Sequence, residues 1–145
     1  MPDLFPVFDA PQLVEDDTNS QVMYPEGPLY DFSTGDYVID GAGRVVMADG
    51  HTVWAQWCIK AVMTERFESL AYTSDYGAEM KRARQQPNRQ ASMLEAERAI
   101  TEALMVDPRT QTVKDFKHDF KGDSHYISFT AVPAIGREQR LEVMF

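Results

Sequence analysis

The stretch from Asp49 to Gly77, DGHTVWAQWCIKAVMTERFESLAYTSDYG, constrains the fold of this chain more than any other. Its apolar residues Val53, Trp54, Trp57, Cys58, Ala61 and Val62 recur at i, i+1, i+4, i+5, i+8 and i+9, the period of a helix with one wide apolar stripe. That stripe has to be buried. Asp49-Gly50 is expected to cap the helix, which begins near His51 or Thr52. Thr64, Glu65 and Arg66 end it, setting a carboxylate and a guanidinium side by side just past the stripe. Phe67, Leu70, Tyr72 and Tyr76 follow and stop at Gly77, which can enter a left-handed turn at little cost.

The rest of the chain supplies a partner for that helix. A second helix is predicted from about Gln90 to Val106, with Met93, Ala96, Ile100, Ala103 and Leu104 inward and Asp107-Pro108 as its stop. Thr112 to Phe120 and His125 to Val132 read as strands joined at Lys121-Gly122-Asp123-Ser124. In the second of them Ile127, Phe129 and Ala131 alternate with Tyr126, Ser128, Thr130 and Val132, so one face is apolar and the other mostly hydroxylated. Tyr37 to Ile39 and Arg44 to Met47 flank Asp40-Gly41-Ala42-Gly43, the pattern of a short hairpin. Gly77 to Arg89 is polar and cationic, with Pro87-Asn88 as a boundary. Arg140 to Phe145 has strand composition, with Leu141, Val143 and Phe145 on one face. The expected fold class is α+β: two main helices packed on a small, mainly antiparallel sheet.

A chain of 145 residues suits one domain with one core. Its formal charge of -9 is uneven, because nine acids precede the first basic residue, Arg44, and acids and bases balance after it. Such an acidic front argues against binding nucleic acid, which needs clustered cations, and against anionic membrane surfaces. Residues 1–30 hold Pro2, Pro6, Pro11, Pro25 and Pro28 and read as an extended acidic arm, leaving 31–145 as the single domain. Leu4, Phe5, Val7, Phe8, Leu13 and Val14 leave two readings of that arm: a disordered terminus, or a segment that orders on a neighbouring subunit. The start, MPDLFPVFDA, has no basic region or continuous apolar core of a secretory signal, and no run approaches a membrane span. Assembly in the cytoplasm is therefore expected.

Few residues suggest catalysis. Glycoside hydrolysis needs two facing carboxylates, for which Glu65, Glu68, Asp75 and Glu79 are the candidates; Arg66 beside Glu65 favours its ionised form over a poised acid. Cys58 lies on the apolar stripe and reads as a small hydrophobe. His51, His118 and His125 lack metal-ligand spacing; the last two could meet across the hairpin, but surface positions are the expectation for all three. No cofactor and no catalytic role are expected.

Several segments together carry a family resemblance: ADG before the first helix, AQWCIKAVMTER through its end, AYTSDYGAEM after it, and EALMVDPRTQTVKDF followed by HYISFTAV. In order and spacing they cover roughly Asp36 to Gly136. The chain resembles the small baseplate wedge proteins of contractile phage tails and related bacteriocin-like particles, called lysozyme-like or sheath-initiator proteins, especially the branch in defective prophages of Gram-positive bacteria. The first 30 residues and the last seven follow no part of that pattern. The resemblance implies a structural subunit, six copies around the tail axis, that joins the wedge to the tube-sheath junction and templates the first sheath ring. The implied partners are larger wedge proteins, the sheath protein, and tube or hub proteins. It also implies that Glu65 and Arg66 meet the helical bundle of the larger wedge proteins; an internal salt bridge to the Tyr72 to Gly77 loop is the competing reading. Tyr72, Asp75 and Tyr76 belong to the same expected surface. Sheath subunits of such tails exchange terminal strands, so Arg140, Leu141, Val143 and Phe145 are the expected residues for strand addition, against the plainer reading of an ordinary last strand. A peptidoglycan hydrolase of the tail and a transient assembly adaptor are the alternatives.

Overall fold

The computed structural model describes residues 21–145. The first helix, α1, spans Gly50–Met63 and buries Trp54, Cys58, Ala61 and Val62 completely, as its 3.6-residue period requires. Asp49 is its N-cap residue, but the carboxylate takes the Thr52 hydroxyl at 2.5 Å and no helix N–H. A short helix, α2, Met80–Arg84, follows the loop after α1, where the sequence showed only charge. The next helix, α3, Arg89–Met105, begins where Asn88 accepts the Ala91 N–H at 2.9 Å, and it buries Ala96, Ala99, Ile100, Ala103 and Leu104.

Both long helices cover one face of an antiparallel sheet built from β5 (Thr110–Lys121), β6 (Ser124–Pro133) and β7 (Gln139–Met144), in that spatial order. Ile127, Phe129 and Ala131 are fully buried against the helices, and Leu141 and Val143 nearly so. Here the alternation read from the sequence is realised. β5 carries two register shifts, at Thr110/Thr112 and Lys114/Lys117, with Asp115 at φ 56° inside the second. β7 pairs with β6 through six consecutive residues without a break.

The earlier part of the domain is made of fragments. β1 (Gly27–Pro28) pairs with β4 (Met47–Ala48), and β2 (Tyr30–Asp31) pairs with β3 (Asp36–Tyr37). The expected hairpin around Asp40 to Gly43 forms, but its strands are reduced to one Ile39–Val45 bridge, a Val46 N–H bond to the Val38 carbonyl and the bonds that close the turn. Tyr24 stacks on His51 at 4.3 Å and donates its hydroxyl to the Arg109 carbonyl at 2.7 Å, so the chain is already packed on the domain there. A side chain at Gly50 would put its Cβ 1.9 Å from the Tyr24 carbonyl oxygen, so only glycine lets this segment cross the start of α1. Residues 1–20 of the expected arm lie outside the described residues. No helix among those described is long and apolar enough to cross a membrane. The architecture is α+β.

Candidate partner-binding surfaces

The end of α1 and the loop after it form the first surface. Thr64 leaves the helix in extended backbone, and a short parallel bridge forms: Ala78 donates to the Thr64 carbonyl and Arg66 to the Ala78 carbonyl. Gly77 makes this approach possible at φ 102°; a Cβ there would stand 2.7 Å from the Thr64 oxygen. Glu65 and Arg66 turn to different neighbours. The Glu65 carboxylate accepts the Lys81 N–H at the start of α2, at 3.2 and 3.3 Å. Arg66, its side chain only 9% exposed, donates Nε to the Gly77 carbonyl at 3.1 Å and Nη1 to Glu102 of α3 at 3.0 Å. Glu102 also takes Arg98, and the Arg66 contact leads the causes that hold its carboxyl below the usual range.

Around this core lies an aromatic and apolar rim. The rings of Tyr72 and Tyr76 are 4.6 Å apart, Tyr76 leans on Trp57 at 6.2 Å, and Asp75 is exposed beside them. Burial pushes the Tyr76 phenol above its ordinary pKa. Met63 and Phe67 are more than half exposed, Leu70 is fully so, and Phe67 sits at φ 67°. A bulky residue in left-handed backbone is strained, and such strain gathers at functional loops. Those three apolar residues stood in the sequence without being singled out as contacts. Of the carboxylates considered for hydrolysis, Glu65 is bound to Lys81 N–H, Glu68 to Lys81 Nζ at 2.6 Å, and Glu79 to Arg98 at 3.4 Å.

The second surface is the edge of β7. Leu141 and Val143 point into the core at 7% and 3% exposure, so their side chains are committed within the chain. Arg140 lies across the outer face of the sheet, donating to Ser128 and Thr130 of β6 and, at 2.6 Å, to the Asp115 carbonyl in the β5 bulge. His125 and Phe145 exchange both backbone bonds. Because such pairs alternate along an antiparallel ladder, the N–H and C=O of Arg140, Glu142 and Met144 face away from β6. Among the described residues nothing pairs with them. The groups offered to a neighbour thus belong to Glu142 and Met144 as well as Arg140, a phase that side-chain alternation cannot reveal.

The histidines need a correction. His118 is buried to 3% side-chain exposure and joins two partners: Nδ1 meets His125 Nε2 at 2.9 Å and Nε2 meets Glu97 of α3 at 2.9 Å. With the Glu97 carboxylate accepting, His118 donates from Nε2, and one proton is shared between its Nδ1 and His125 Nε2. These three groups run in a line, and among the described residues no three metal-type ligands are placed to hold one ion. Burial, then His118, then Arg84 lower the His125 pKa below 6.5. A base whose pKa is depressed by folding takes up protons on unfolding, so stability is full above about pH 6.5 and is lost as pH falls toward the folded value. The melting temperature is expected to drop as pH falls below about 6.5, and His125→Gln should flatten that slope. An equal slope in the variant would assign it to other groups. Cys58 is fully buried, and its thiol is pushed up to about 12, chiefly by burial, in keeping with a packing role.

Residues 28–134 match the family model described as contractile injection system sheath initiator. The chain belongs to that family. The match takes in α1, the Glu65–Arg66 segment, the loop, α3 and the β5–β6 hairpin, and it stops before β7. No curated protein sequence matches the chain. Membership makes it a structural component of sheath assembly in a contractile, phage-tail-like particle, with sheath and baseplate components as its partners. It also agrees with the resemblance read from the sequence.

Proposed function

We propose that this chain templates the first sheath ring: β7 takes a strand from a sheath subunit by backbone pairing, while the Glu65 to Gly77 end seats the protein on larger wedge proteins. Six copies around the tail axis would present six such edges. The observation that carries this reading is the open ladder of Arg140, Glu142 and Met144 on an unbulged strand. The opposite edge supports it by contrast. β5 is twice bulged and bears Lys114, Lys117 and Lys121, devices that discourage pairing. For the other end, the support is the strained, apolar loop of Phe67 and Leu70 beside a rigidly held Arg66.

Deleting β7 would open the core, so proline is the sharper tool. Glu142→Pro removes an N–H that the chain itself does not use, and an edge strand tolerates it. Baseplates carrying it should melt near the wild type yet show no polymerised sheath in electron micrographs. Val143→Pro, which breaks a bond to β6, should instead destabilise the subunit. Normal sheaths on folded Glu142→Pro baseplates would overturn the reading.

A further inference from the structure

The surroundings of the β7 edge describe the strand that fits it. α1 packs over β7, and its two flanks differ. Trp57 marks the flank toward Tyr76 and Arg109, at the β5 side of the sheet. Ala55 and Ile59, one turn apart and both only partly buried against the core, fall by the helical period on the opposite flank, which with α1 packed on β7 and Trp57 turned toward β5 is the flank on the side of the free edge. A strand laid beside β7, about 4.8 Å away, would find this aliphatic floor under every second side chain.

At the far end of the edge the surface becomes cationic. The guanidinium of Arg84 lies 5.6 Å from the Phe145 ring, and that of Arg89 lies 4.8 Å from the Phe120 ring. Lys81, Arg82, Arg66 and Arg98 around them all hold carboxylates, whereas Arg84 and Arg89 hold none among the described residues. Phe145 is paired to His125 at the end of β7, so a residue opposite it on an added strand comes within reach of the exposed Arg84 fork.

We propose, resting on the strand-addition reading above, that the sheath strand received at β7 has apolar residues at alternate positions facing Ala55 and Ile59, and an acidic residue at the end that passes Phe145, where Arg84 binds it. The arginine sets the register. A one-residue slip would turn the apolar side chains to solvent and carry the acid away from its cation.

The test measures capture of the particle's own sheath protein by the intact chain in co-sedimentation, with Glu142→Pro as reference. Arg84→Glu and Arg84→Gln sit on an exposed turn of α2 and should fold normally by circular dichroism. Arg84→Glu should weaken capture about fivefold or more, Arg84→Lys less, and added salt should affect the wild type more than Arg84→Gln. An acid-to-lysine change in the sheath strand should restore binding to Arg84→Glu. Loss of capture in Glu142→Pro with wild-type capture in Arg84→Glu overturns this inference and leaves strand addition standing. Undiminished capture by Glu142→Pro overturns strand addition itself. If Arg84→Glu alters only self-association of the chain, the acidic partner is a second copy and the proposal falls.

Discussion

Replacing Trp54 by alanine is expected to cost about 3–5 kcal/mol, a large share of the 5–15 kcal/mol that holds an ordinary domain together. Trp54 is completely buried, stands edge-on to Tyr24 at 6.2 Å, and donates its indole N–H to the Thr110 hydroxyl at 3.1 Å. One side chain therefore joins α1, the incoming Tyr24 segment and the first residue of β5. Alanine would leave a cavity and remove the bond to Thr110, itself only 5% exposed. Urea titration reads the loss directly. Trp54→Phe, which keeps most of the volume and loses only the N–H, should cost clearly less; equal costs would show that filling the space contributes little.

Arg66→Ala should cost about 2–3 kcal/mol, because a nearly buried guanidinium gives charge-assisted bonds to the Gly77 carbonyl and to Glu102. Lysine is not expected to rescue it, since one ammonium cannot serve a carbonyl and a carboxylate that diverge from a planar fork. Glu65→Ala should cost less: its carboxylate meets one N–H at 3.2 Å at the start of a five-residue helix. Thermal melts of the isolated subunit test this ranking. If Arg66→Ala melted like the wild type and failed only in baseplate assembly, the internal contacts would be dispensable and the residue would act on a partner.

Much of this arrangement is legible in the sequence. The stripe of Trp54, Cys58 and Ala61 and the alternation of Ile127, Phe129 and Ala131 encode burial in their spacing alone, and all six side chains are fully buried. α2 was hidden because its two anchors, Met80 and Ala83, are embedded among Lys81, Arg82 and Arg84 and too few to show a period. Adjacency made Glu65 and Arg66 look like one feature. In extended backbone, consecutive side chains point to opposite sides, so one went to α2 and the other to α3. The burial of His118 depended on Glu97, which lies 21 residues away on another element. The edge of β7 was visible as composition, but its open groups follow from the hydrogen-bond phase that the pairing with β6 sets.

Arg140 crosses β6 to reach β5, so the sheet carries a rib perpendicular to its strands. Anything hooked to the outermost strand and tugged sideways pulls through that rib on all three at once. Unzipping the last strand alone would first have to tear the guanidinium from the bulge, which makes the sheet suited to bear mechanical load at its rim.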